Sequence, residues 1–268
     1  MTNWSRVEAA VESASQHGTV GVAIVGPDGE RWQHHGDRKF MAASTAKIPV
    51  MIEIFRQIDR GERSLDDRYE TEESDRSPGS GVLTHMRPGT HLCLYDLLYL
   101  MISISDNMAT NILIDMAGME AVNTTMQELG MSRSHLTQYM RGLDKDPSKP
   151  ENLATPNDYA TSILAILDGK AASAESCEQM TELLSRQQNG RRLARYIPRS
   201  NAIKWGSKTG TVPGVANDVG YIMSPNGRLV IAVFTEQFAD THVAEFVIGD
   251  IARAAMADTG VVGPLYTS

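Results

Sequence analysis

Segments with the apolar pattern of β-strands fall only towards the two ends of this 268-residue chain, and the stretch between them reads as helix. This constrains the fold more than any other feature. A strand needs partners for its backbone N–H and C=O groups, so the two ends must meet in one sheet and the middle must be carried as an insertion. Near the N-terminus, Val20-Gly21-Val22-Ala23-Ile24-Val25, the turn former Pro27-Asp28-Gly29 and residues 30–35 spell a hairpin. Near the C-terminus, residues 203–211, 219–223 and 228–235 read as strands, the last two joined by Ser224-Pro225-Asn226-Gly227. Helices are expected at 4–16, where Val7, Ala10, Val11 and Ala14 share a face, and at 48–59, 95–104, 110–116 and 241–257. Thr155-Pro156-Asn157-Asp158 reads as a further helix start, with a capping Thr, Pro at the first helical position and Asp in the first turn.

The expected fold class is therefore mixed α/β (α+β): an antiparallel sheet built from both chain ends, flanked by helices, with an inserted all-α lobe. One domain of two lobes is expected, residues 1–40 plus 195–268 forming the α/β lobe and 41–194 the helical lobe. A cleft between lobes is a common place for an active site.

Composition narrows the partners. Twenty-five Lys and Arg against 33 Asp and Glu give a net charge of −8 with no basic run, which argues against nucleic acid. Two cysteines, Cys93 and Cys177, and seven scattered histidines have no metal-ligand spacing, so no metal and no cofactor are expected. The apolar run 92–104 carries Asp96 and is shorter than the ~20 residues of a membrane span, so it reads as a core helix, with Cys93 a small buried hydrophobe. The first residues lack a basic start and an apolar core, which leads to the expectation of a cytoplasmic protein, or of export if a leader has been removed. A small-molecule substrate, no membrane and a monomeric state complete these expectations.

Three short motifs carry chemistry. In Ser44-Thr45-Ala46-Lys47, the hydroxyl and the amine at i and i+3 share one face of a helical turn, so Lys47 can reach Ser44. A serine needs a base to become a nucleophile, and a lysine serves only if burial or a second cation lowers its pKa. Ser105-Asp106-Asn107 follows the apolar run and alone reads as helix capping. Lys208-Thr209-Gly210 lies where the late strands begin; it could hold an anion and let a substrate backbone approach Gly210, or be an edge protected by lysine.

Together, in this order, SxxK, SDN and KTG form the set found in class A β-lactamases and penicillin-binding proteins. The chain resembles the class A β-lactamase family over nearly its whole length, including Gly79-Ser80-Gly81-Val82-Leu83 and Asn217-Asp218-Val219-Gly220. The resemblance implies Ser44 as the acylated nucleophile, Lys47 as its proton partner and Ser105 as the relay to the leaving nitrogen. It implies Asn107 as a support for Lys47 and substrate, Lys208, Thr209, Gly210 and Thr211 as the carboxylate-binding strand, and the amides of Ser44 and Thr211 as an oxyanion hole. The implied activity is β-lactam hydrolysis. An esterase or amidase of the same fold, and a penicillin-binding protein that stays acylated, are the alternatives.

One part of the family pattern is missing. Class A enzymes carry a Glu four residues before an Asn in a loop after SDN, and that Glu activates the deacylating water. Residues 140–152 contain no such pair, leaving Asp144, Asp146 and Glu151 as substitutes that ordinary loop solvation explains equally well. Met51 stands at one place of the family's disulfide, so Cys93 and Cys177 are not expected to form that bridge.

Overall fold

The computed structural model of the chain describes residues 2–141 and 150–263. In order, the elements are α1 (Ser5–Ala14), β1 (Thr19–Val25), β2 (Arg31–His34), β3 (Phe40–Met41), α2 (Lys47–Asp59), β4 (Arg68–Glu70), β5 (His91–Cys93), α3 (Leu94–Ser103), α4 (Asn107–Ala117) and α5 (Met119–Glu128). After these come β6 (Leu153–Ala154), α6 (Pro156–Leu167), α7 (Ala174–Ser185), β7 (Lys204–Val212), β8 (Val215–Ser224), β9 (Gly227–Glu236) and α8 (Thr241–Thr259).

The main sheet runs β2-β1-β9-β8-β7 with every pair antiparallel. The two chain ends meet as expected, β1 pairing with β9 from Thr19↔Glu236 to Val25↔Val230. Both faces of this sheet are covered, which is why β1 is a continuous apolar run rather than an alternating one. Val20, Val22, Ile24, Ile231 and Val233 pack with α1 and α8 residues such as Val7, Val11, Ile248 and Ile251. The intervening Ala23, Val25, Val230, Ala232 and Phe234 face the other way and join a larger core with α2, α3, α4 and α6.

At the centre of that larger core lies α2, where every residue from Lys47 to Phe55 is buried. The apolar run forms α3, and Asp96 sits in its first turn, accepting the amide of Cys93 at 2.9 Å. Cys93 is half-buried rather than fully buried, and both cysteines are free. Thr155 caps α6 as expected, its hydroxyl accepting from Asp158 N at 3.2 Å. Two helices, α5 and α7, and the small pairs β3–β6 and β4–β5 were not expected from the sequence. Among the described residues no helix is long and apolar enough to cross a membrane.

Candidate active site

Ser44 lies in a single 3-10 turn, Ala43–Ala46, that runs directly into α2. The turn is held from three sides. Thr45 bonds Ala42 O through its hydroxyl at 2.7 Å and its amide at 3.1 Å. Asn217 of β8 donates to Met41 O at 2.8 Å. Gly210 of β7 presses against it so closely that a Cβ there would stand 3.0 Å from Ala42 O and 3.1 Å from Ser44 N. The neighbour that Gly210 admits is thus the protein's own Ser44 turn, where the sequence suggested a substrate. Ala43 adopts φ 47°, a left-handed conformation that a non-glycine residue keeps only when its surroundings enforce it.

Lys47 is completely buried, and its Nζ donates to Ser105 O at 2.7 Å, Ser105 Oγ at 2.9 Å and Asn107 Oδ1 at 2.9 Å. These bonds run to the SDN residues rather than to Ser44. Burial pushes the Lys47 ammonium well below its ordinary pKa, Lys208 adds to the depression, and Asp106 opposes it. Neither Lys47 nor Ser44 takes the ordinary role available to it, since the lysine is not solvated and the serine side chain caps no helix.

Asp106 does supply the capping that SDN alone suggested. Its Oδ1 accepts from Ala109 N at 3.0 Å, and its Oδ2 accepts from Val82 N at 2.6 Å and Leu83 N at 2.9 Å. This clamps the loop at 79–83 onto the start of α4, aided by Asn107, which donates from N to Ser80 O and from Nδ2 to Pro78 O, each at 2.8 Å. Gly81 is required there: its φ is +119°, and a Cβ would land on Asp106 Oδ2. Ser105 is left at φ 62°, a strained conformation that aims both its carbonyl and its hydroxyl at Lys47.

On the sheet side, Lys208 lies in the edge strand β7 yet is fully buried, so it is not the solvent-facing edge lysine that the strand alone suggested. Its Nζ donates to Thr209 O at 2.9 Å. Burial brings its pKa down to about 7, Asp218 pulling upward and Arg192 pushing further down.

Arg192 was not identified from sequence. It is 1% exposed, and it donates to Gly210 O at 2.8 Å, Asn217 O at 2.7 Å, Thr211 Oγ1 at 2.6 Å and Glu245 Oε1 at 3.1 Å. It thereby braces β7 against α8. An Arg191-Arg192 pair ordinarily reads as solvated charge, and the partner that buries Arg192 comes 53 residues later.

Two cavities open on either side of Ser44. One, of about 430 Å³, is polar and brings together Ser44, Ser105, Thr209 and Thr211 with Gln187, Asn189 and Arg191. The other, of about 330 Å³, is lined by Ser44, Asn107 and Thr211 together with Met41, Gln138, Tyr139 and Glu151. Lys47, Lys208 and Gly210 stand behind these walls. Glu151 accepts from Gln138 Nε2 at 2.8 Å, whereas Asp144 and Asp146 lie outside the described residues. Among the described residues no cluster of His, Cys, Asp or Glu could hold a metal ion.

Residues 4–258 match the model of the Beta-lactamase enzyme family. The chain belongs to that family. The crystal structure of a β-lactamase from Sphaerobacter thermophilus matches with a TM-score of 0.96 and 54% identity, covering 98% of this chain and 100% of that one. A β-lactamase of Rhodobacter capsulatus is 29% identical, over 85% of this chain and 79% of its own length. A mutant of PBP-A, described as an acyl-enzyme complex with penicillin-G, matches with a TM-score of 0.84 and 26% identity, covering 93% of this chain and 94% of that one. The fold shared with the matched structures is the α+β arrangement expected from the strand-rich ends.

Proposed function

We propose that the protein opens the β-lactam amide through an acyl-enzyme on Ser44. The observation that carries this is the buried Lys47, with Nζ bonded to Ser105 and Asn107 and its pKa driven down. Burial makes such a lysine give up its proton more readily, which suits it to act as a base. In the acylation step, Ser44 Oγ bonds to the amide carbonyl carbon and its proton passes to Lys47. The C–N bond then breaks as Ser105 gives its hydroxyl proton to the nitrogen and is reprotonated by Lys47. In the second step, water attacks the ester carbon and Ser44 leaves with a proton restored.

The amides of Ser44 and Thr211 are the proposed oxyanion donors, each worth ~3 kcal/mol in such sites. The edge geometry supports Thr211. The carbonyls of Ser207 and Thr209 accept from the side chains of Gln187 and Lys208 rather than from a strand, and backbone groups alternate in direction along a strand. The Thr211 amide therefore faces the same open edge. Lys208, Thr209 and Thr211 are assigned the substrate carboxylate, and Asn107 the positioning of Lys47. Glu151, on the wall shared with Ser44, is the acid assigned to the hydrolytic water. The protein is taken to act as a monomer, one domain of two lobes (1–40 plus 195–268, and 41–194), which size-exclusion chromatography with light scattering checks.

A second function is favoured by one observation: the missing Glu–Asn pair, alongside a PBP-A relative in acyl-enzyme form with penicillin-G. In that case the adduct forms and persists. Intact-mass spectrometry after mixing with a penicillin, with product assayed in the same tube, separates the two. A transient adduct with turnover supports hydrolysis, a lasting one supports penicillin binding, and no adduct refutes both. Ser44→Ala is expected to abolish adduct and turnover. Hydrolysis retained near the wild-type rate would show that another residue is the nucleophile.

A further inference from the structure

The catalytic groups come from two halves of the molecule: Ser105 and Asn107 from the helical half, Lys208 to Thr211 from the sheet. Gln187, in the segment between α7 and β7, joins the two halves beside the polar cavity. Its side chain is buried, and Nε2 donates to Ile102 O at 3.2 Å and to Ser207 O at 3.3 Å. Its Oε1 accepts from Asn189 N at 3.0 Å, and the next residue, Gln188, donates its amide to Ser103 O at 3.1 Å. Ile102 and Ser103 are the last residues of α3, just before Ser105, and Ser207 immediately precedes Lys208.

The carbonyls to which Gln187 donates are of a special kind. Those in the last turn of a helix lack an intrahelical donor, and those on the outer side of an edge strand lack a neighbouring strand. Here one of each is buried face to face. A primary carboxamide carries two N–H donors and an acceptor in one plane, so a single side chain satisfies both carbonyls and fixes the loop that walls the cavity. A carboxylate of the same shape would set oxygen against oxygen.

We propose that Gln187 is a positioning residue that sets the spacing between the Ser105 turn and the Lys208 strand, and so governs formation of the acyl-enzyme rather than its breakdown. This rests on Ser44 being the nucleophile. Of the groups assigned to the leaving nitrogen and the carboxylate, Ser105 and Thr209 line the cavity that Gln187 also lines, and Thr211 borders both cavities. Glu151, assigned to the water, lines the opposite one. Widening the gap therefore slows the step that needs both halves and spares the step served from the other side.

The test compares Gln187→Glu, which keeps the shape and replaces the donor, with Gln187→Met, which keeps the bulk and removes the hydrogen bonds. Tyr221→Phe is the control. It deletes the bond from Tyr221 OH to Thr181 O at 2.9 Å, which also ties the sheet to the helical half but borders neither cavity. Rapid mixing with a penicillin, read by intact mass, gives the acylation rate and the adduct lifetime separately. Gln187→Glu should slow acylation by about 10- to 100-fold, the scale of a misplacement up to ~1 Å, and Gln187→Met by less. Adduct lifetime should be unchanged in both, and Tyr221→Phe should alter only the melting temperature. If Gln187→Glu does not fold, Gln187→Met decides the matter by slowed acylation or its absence. Wild-type acylation rates in the folded variants would overturn the proposal, as would equal slowing of both steps matched by Tyr221→Phe. Absence of any adduct on Ser44 in the unmodified protein would instead remove the premise, a result distinct from an unaffected variant.

Discussion

Replacing Arg192 by Met would measure how strongly the edge strand β7 is held from behind. Methionine keeps the length of the side chain and removes its charge and all of its donors. Glu245 is then left 8% exposed, with only Arg191 Nε at 3.8 Å and His242 Nδ1 at 3.9 Å as ion-pair partners among the described residues, on side chains that are 69% and 77% exposed. Solvated partners of that kind return ~0–1 kcal/mol, whereas stripping one partner from a buried pair costs ~3–5 kcal/mol. The second effect wins, and the net loss is ~2–5 kcal/mol on those two figures. At ~2–4 °C per kcal/mol for a domain of this size, the melting midpoint should fall by roughly 10 °C. Adding Glu245→Met removes the stranded carboxylate, and an apolar replacement of a buried pair is close to neutral, so the double variant should melt above Arg192→Met. Calorimetry on the wild type, both single variants and the double variant completes the cycle. A double variant that loses the sum of the two single losses would refute the coupling, and with it the idea that Arg192 is held in place by Glu245. kcat/KM should stay low even in the rescued double variant, because Thr211 Oγ1 and the Gly210 carbonyl still lack their donor.

With its pKa at about 7, Lys208 loses its charge as pH rises through that value, so KM for a carboxylate-bearing substrate should climb in the alkaline range. An analogue lacking the carboxylate should show no such climb, and equal profiles would contradict the assignment. Stability should run the opposite way. The unfolded lysine keeps its proton up to its ordinary 10.5, so the unfolded chain binds more protons between about 7 and 10.5 and denaturant midpoints should rise over that window. Glu151→Gln should lengthen the acyl-enzyme lifetime at least ~100-fold, the lower end of what a general base contributes, while leaving the acylation rate alone; unchanged release would dismiss Glu151. Gly81→Ala should cost ~2–4 kcal/mol through overpacking and a disfavoured φ, read by urea denaturation, and should lower kcat/KM because Asp106 lies between Ser105 and Asn107; wild-type stability would show that the loop at 79–83 yields.

What could be read from the residues was whatever depends on near neighbours. Hairpin signals, the Thr155-Pro156 start and the apolar run from Ile48 all act within a few residues, and β1, β2, α6 and α2 appear where they point. β3 and β6, at two residues each, are too short for any alternation to register. Helix α5 was hidden by composition, since only Val122, Thr125 and Met126 of its ten residues are buried. Helix α7 was legible in retrospect: Ser173 caps it, and Cys177, Met180, Leu183 and Leu184 recur at helical spacing. The state of the site charges was not legible at all. The charges that act on the buried Lys208 and Arg192, Asp218 and Glu245, come from other elements, so their local sequences look like surface.

The surroundings of Lys47 amount to a count of hydrogens. Three oxygens stand around Nζ: the Ser105 carbonyl, the Ser105 hydroxyl and the Asn107 amide oxygen. A charged ammonium has three hydrogens and satisfies all of them, whereas a neutral amine has two hydrogens and one lone pair. The carbonyl and the amide oxygen can only accept, so on losing a proton Lys47 can complete the set in one way, with the Ser105 hydroxyl swinging round to donate. The rotor of Ser105 is therefore slaved to the charge of Lys47. It points its hydrogen outward, available to a bound molecule, only while the lysine is protonated, which on the proposed path is the moment just after Ser44 has given up its proton. The site is a two-position valve for a proton, and its direction is fixed by which of three oxygens can change roles.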